Sequence, residues 1–350
     1  MLVNTARRGT TGGTNVRRLT AASRIAIPLA GVLVLSGCSS AKSDSDDLQI
    51  VANPVAATAA VSPAVTVKPA GQVLPGSAVS AVAVSGSTLV VALAQQPSLL
   101  LYDLNALASP PVNMALYGKA SRLTVAPGRV EIAEPAQGVV QQLTLPDRKL
   151  SETKTGGQPA SSIAYGADRL VAMGAAKDIQ VLPASGPART IGGQIYSADD
   201  VLAAGNGVVV LDRLRTAVFS VDVAGGKINE GLRAGDGAAN AVADSYGRIL
   251  VTDARAGALL AFSASPLIMR QRFPVPGGAY GIAYDATRSL AWVTLTERNE
   301  VVGFDVRGGE PVEKYRFPTV RQPDSVGVDD QSGRVIIGSA AGEGTQVIQP

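Results

Sequence analysis

Beyond residue 70 the chain is a succession of short apolar runs, each ended by a cluster of Gly, Asn, Asp or Ser, and no stretch after residue 40 keeps a 3.6-residue apolar period. The runs recur in sets. The first member of each set reads SAVAV at 80, SRLTV at 121, SSIAY at 161, DDVLA at 199, ANAVA at 239, YGIAY at 280 and DSVGV at 324, at intervals of 38 to 44 residues. A turn follows each, and then a second run: TLVVAL, RVEIAE, RLVAMG, GVVVLD, RILVTD, LAWVTL and RVIIGS. A third run follows (SLLLYDL to TQVIQP), and a weaker fourth ends in Gly-rich joints such as ARTIGG and RFPVPGG. Four short strands per forty residues, separated by turn chemistry, predict one propeller blade per repeat.

Only six fourth strands follow their own repeat; the seventh stops at Pro350 after its third strand. The segment GQVLPG, residues 71–76, is similar to FPVPGG of the fifth repeat and can supply the missing strand. The expected fold is therefore all-β: a seven-bladed β-propeller of four-stranded blades over residues 70–350, closed by an N-terminal strand. Closure removes the open edges on which further chains could pair.

The first 37 residues have a different pattern. Arg7, Arg8, Arg17, Arg18 and Arg24 stand without an acidic residue, and an eleven-residue apolar run follows from Ile25 to Leu35. As a helix that run reaches about 16 Å, short of a bilayer core. It predicts a cleaved export signal over residues 1–37. The sequence LSGC, residues 35–38, resembles the bacterial lipobox. That resemblance implies that Cys38, the only cysteine, is diacylated, carries fatty-acyl chains such as palmitate, and becomes the first residue of the mature protein. Two or more chains anchor stably where one binds marginally. The expected location is the cell membrane, lipid-anchored and facing the extracytoplasmic side. Residues 38–69, rich in Ser, Ala, Asp and Pro, are expected to be a flexible linker.

Charge changes the picture once the leader is set aside. The whole chain holds 31 Lys plus Arg against 28 Asp plus Glu; without the five leader arginines 26 bases face 28 acids, a net −2. No basic footprint for nucleic acid remains, so none is expected as a partner. The chain also contains no histidine. That excludes Ser-His-Asp hydrolysis and imidazole metal sites, and with Cys38 acylated it excludes zinc held by Cys or His.

The stretch YGIAYDATRSLAWVTLTERNEVVGFDVRGG, residues 280–309, resembles the NHL and YVTN families of seven-bladed propellers, which include virginiamycin B lyase-like proteins and quinoprotein-like surface lipoproteins. The resemblance implies the fold. It does not bring the lyase activity or a quinone-dependent dehydrogenation, because both use a histidine.

Candidate chemistry falls on the loops between fourth and first strands and between second and third strands, which share one face of a propeller. There the sequence places Arg122, Arg213, Arg255 and Arg298 beside Asp200, Asp253 and Asp324, with Asn240 and Tyr280 near inner-strand starts. Guanidinium groups grip carboxylate or phosphate bidentately, so the expected function is a binding module for an envelope protein or an anionic glycan, without a cofactor. The alternative is a hydrolase or lactonase using a divalent cation such as calcium, held by Asp200, Asn240 and Asp324 at the axial channel mouth. The lone tryptophan, Trp292, lies inside a second strand and is expected in a blade core.

The anchor reading is tested directly. Replacing Cys38 with Ala should shift the protein from the membrane to the soluble fraction or leave an unprocessed precursor. Unchanged fractionation together with unchanged mass would refute it.

Overall fold

In the computed structural model, which describes residues 53–350, the chain folds into seven four-stranded antiparallel sheets. The expected export signal, Cys38 and the start of the expected linker lie outside the described residues. Blades 1 to 6 occupy residues 79–115, 122–154, 161–192, 200–233, 238–274 and 279–318, each in simple up-and-down order. Blade 7 takes three strands from 323–348, and Gln72–Leu74 adds its fourth. The innermost strands run over Val79–Ser85, Arg122–Ala126, Ser161–Tyr165, Asp200–Ala204, Ala238–Ala243, Ala279–Asp285 and Pro323–Val328, where the seven repeat starts placed them.

The second strands read as continuous apolar runs because each blade is sandwiched between two neighbours, so both of its faces are buried. In Thr88–Leu93, Leu89 and Val91 pack toward blade 7 while Val90 and Ala92 pack toward blade 2. Each of the seven blade junctions holds its own apolar cluster. Six have nine or more buried members; the junction of blades 2 and 3 has only Val140, Val171 and Met173. That junction is polar instead. Glu131, fully buried, meets Arg169 Nε at 3.0 Å and Arg129 Nε at 3.4 Å, and accepts a hydrogen bond from Gln142 Nε2 at 3.0 Å. Trp292 is buried, stacked on Tyr315 at 5.6 Å between ring centres.

Arginines also stitch neighbouring blades. Arg189 donates to the Val223 carbonyl at 2.6 Å, Arg248 to Val306 at 2.6 Å and Arg334 to Leu104 at 2.5 Å, each reaching the next blade around the ring. A guanidinium suits this work, since its planar fork can hold one partner on its own blade and a second across the gap; Arg248 also pairs with Asp244 at 2.6 Å.

The ring is closed by three residue pairs, Gln72 with Val347, Val73 with Gln346 and Leu74 with Thr345. The Gln346 side chain reinforces them by donating to the carbonyls of Ala70 and Pro318 at 2.7 and 3.0 Å. Two glycines allow the close approach. A Cβ on Gly71 would lie 2.2 Å from the Val347 carbonyl oxygen, and one on Gly344 would lie 2.1 Å from that of Leu74; both residues have positive φ. Gly344→Ala should therefore lower stability by more than about 2 kcal/mol, combining left-handed strain with a backbone collision. A urea melt checks the magnitude, and hydrogen exchange should show amides of residues 72–74 opening first.

Candidate functional site

An axial channel of about 990 Å³ runs through the ring, walled by the seven inner strands. Four of the expected site residues meet in it. Arg122, which opens the inner strand of blade 2, reaches across to blade 4, where its Nη2 lies 2.7 Å from an Asp200 carboxylate oxygen. The same nitrogen donates to the Ala241 carbonyl at 2.7 Å, and Nη1 donates to Asn240 Oδ1 at 3.4 Å. Asn240 in turn donates through Nδ2 to the Tyr280 carbonyl at 3.2 Å, which also accepts from Thr252 Oγ1 at 2.6 Å. Arg122 is thus a bar from blade 2 to blades 4 and 5. Tyr280 enters the network through its main chain, not as a stacking ring.

Asp324 lines the channel from blade 7 and accepts from Gln322 Nε2 at 2.8 Å. The positive charge of Lys119 acts on it, and Lys119 lines the same mouth. In the cation-dependent alternative Asp200 and Asn240 would have to release Arg122, which holds both. Among the described residues no group of three or more Asp, Glu, Cys or His side chains is placed to hold a metal ion.

Asp253 is corrected from ligand face to loop clasp. Buried at the end of its strand, it accepts backbone N–H groups from Asp236 at 2.9 Å, Arg255 at 3.2 Å and Ala256 at 3.0 Å. Asp212 and Glu134 do the same work in blades 4 and 2, accepting from Tyr196 and Gly118 at 2.5 and 2.6 Å. A carboxylate two residues after an apolar strand core satisfies loop donors that would otherwise be buried without partners.

Arg213 and Arg255 are on the expected face, but an unexpected segment holds them. Residues 53–69, the described part of the expected flexible linker, lie as an extended strap across the loops of blades 4 to 7. Arg213 donates to the Ala57 carbonyl, and Arg255 to that of Val55 at 2.5 Å. Gln322 Nε2 donates to the Ala60 carbonyl at 2.9 Å and Asn299 Nδ2 to that of Pro63 at 3.0 Å. Ser62 is buried, its hydroxyl donating to the Thr296 carbonyl at 2.5 Å. The linker composition conceals this docking, because the contacts are made by main-chain carbonyls that every residue carries. Arg298 remains exposed, its side chain lying over Gly277.

The sector over blades 1 to 3 is not crossed by the strap. There a second, shallower cleft of about 400 Å³ opens between the loops of blades 2 and 3. It is lined by Pro135, Ala136, Gln137, Lys154 and Gln158 with Gly138, Gly156 and Gly157; Pro135 and Ala136 line the axial channel as well.

No protein-family model matches the sequence, and no curated protein does. The fold is similar to solved structures. A chain of hydrazine synthase from Kuenenia stuttgartiensis aligns over 82% of this chain and 99% of its own, at 16% identity and TM-score 0.66. A streptogramin B lyase aligns over 80% and 95%, at 11% identity and TM-score 0.66. A chain of a mitotic checkpoint complex aligns over 86% and 98%, at 7% identity and TM-score 0.69. These likenesses carry the fold alone: the chain is a seven-bladed β-propeller.

Burial pushes the carboxyls of Glu134, Asp200, Asp212 and Asp324 above the ordinary carboxylate value, against opposing hydrogen bonds and, at Asp200, against the Arg122 charge. A carboxyl raised in the folded state binds its proton more tightly there than in the unfolded chain. Stability should therefore rise as pH falls from 7 through the folded values, and the gain should end near pH ~4, where unfolded carboxylates protonate too. Urea midpoints measured across that range should show the rise, and Asp200→Asn should make it shallower.

Proposed function

We propose that the chain is a lipid-anchored, extracytoplasmic interaction module that binds an anionic envelope glycan through the sector over blades 1 to 3. The anchor rests on the lipobox-like sequence around Cys38. The observation that carries the ligand reading is the cleft between blades 2 and 3. It presents an ammonium group from Lys154 and the amides of Gln137 and Gln158 beside small glycine and alanine surfaces. Lys119 and Lys177 are exposed on neighbouring loops. Amides can donate to and accept from sugar hydroxyls, and lysines meet acid groups as mobile point charges. In the same sector Glu134 is buried under its loop, and the exposed Glu152 accepts from the Tyr117 hydroxyl.

A chain carrying Lys119→Ser, Lys154→Ser and Lys177→Ser together tests this reading. Exposed charges contribute little to stability, so its urea midpoint should match the wild type. On an immobilised uronic-acid polymer the wild type should be retained at low salt and released as salt screens the contacts. The triple variant should pass through unretained. Equal retention of the two proteins would overturn the proposal.

A further inference from the structure

The strap contacts define a second recognition surface, separate from the glycan cleft. Four carbonyls along nine residues, those of Val55, Ala57, Ala60 and Pro63, are each capped by a side chain of the ring. Every one of those interactions reads main chain. Two side chains are also read. Ala57 is 2% exposed, and its Cβ sits 3.0 Å from the position a Cβ on Gly237 would take, so that site admits nothing larger than a methyl group. Ser62 is 2% exposed. Its backbone N–H donates to Gln322 Oε1 at 3.0 Å, and its hydroxyl accepts from the Gln322 N–H at 3.1 Å while donating to Thr296. The larger side chains point away: Val55 is 68% and Val61 83% exposed.

We infer that the loops of blades 4 to 7 form a peptide-binding groove, occupied in this chain by its own residues 55–63. Its ligand class is an extended segment with a small residue, four positions whose side chains are unrestrained, and then Ser. The division of labour is that of known extended-peptide sites, in which main-chain bonds supply affinity and small pockets supply selectivity. The groove differs from a blade junction because it adds no strand to a sheet and contributes two buried side chains. It differs from the channel in what its side chains hold: Arg255, and Arg213 at the edge of the channel, donate to strap carbonyls. An external segment of the same pattern must displace a ligand tethered on the same chain, whose effective concentration is on the order of millimolar. Binding from outside is therefore weak until the strap is cut or pulled free.

The test uses the full chain with a protease site in place of residues 65–68, which leaves the closing strand 72–74 in the ring. After cutting and a buffer exchange, fluorescence anisotropy follows a labelled peptide of residues 53–64. The cut ring should bind it saturably at one site, and the uncut chain at least tenfold more weakly. The same peptide with Ala57→Leu should lose at least tenfold in affinity, as should the wild-type peptide on a ring carrying Gln322→Ala. A cut ring that keeps its melting transition but takes up no peptide overturns the inference, as does equal binding of the Ala57→Leu peptide. Should cutting unfold the ring, the uncut chain decides. Ala57→Leu must then speed proteolysis within residues 53–64 several-fold, and an unchanged rate overturns the groove. Loss of the glycan interaction would leave every one of these outcomes unaffected.

Discussion

A ring of seven sheets with no disulfide among its described residues depends on the seam between its last strand and its first. Gln72–Leu74 contributes three backbone pairs to blade 7, yet those pairs join residues more than 270 positions apart. Until they form, blades 7 and 1 each lack a neighbour, and Leu74, Ile336 and Val347 cannot be buried together with Leu89 and Val91. Backbone closeness at the seam, permitted by glycine on each side, is what converts a row of sheets into a closed fold. The axial channel, the inner-strand ends around it and the loops of both faces take their positions from that closure.

Around the ring the junctions are not equivalent. Six are apolar and close-packed, and the seventh, between blades 2 and 3, replaces most of its apolar surface with the Glu131–Arg169 cluster. A buried ion pair is expensive to desolvate and adds less net stability than the packing it displaces. The cleft between Gln137 and Lys154 lies above this same junction, formed by glycine-rich loops. The most polar seam and this surface cleft therefore coincide.

The face carrying the connecting loops divides by what its side chains already hold. Over blades 4 to 7, Arg213, Arg255, Asn299 and Gln322 are engaged with the strap; inside the mouth, Arg122, Asp200 and Asn240 satisfy one another; over blades 1 to 3, Lys119, Lys154 and Lys177 face outward. Charge along the sequence does not distinguish these states. An arginine that grips a carbonyl of its own chain and one that waits for a ligand have the same spelling.

The number of blades, the inner strands and the closing partner were legible because each depends on period-two alternation and turn residues, which are local. Trp292 and the apolar second strands were equally plain, since a strand buried on both faces must be apolar throughout. Asp253 was misread as a ligand residue because its partners are backbone N–H groups, which carry no sequence signature, although the recurrence of Glu134, Asp212 and Asp253 at one blade position was visible. The initial arginines of RLVAMG, RILVTD and RVIIGS likewise repeat, and their task of bridging blades follows only from ring geometry. The strap was hidden most completely. Its composition is that of a disordered linker, and its fixed position comes from side chains that lie more than 150 residues away along the chain. Sequence alone determined which residues become strands and how many blades they make. The tertiary structure decided which polar groups are already satisfied, because that depends on distances across the ring that no local pattern encodes.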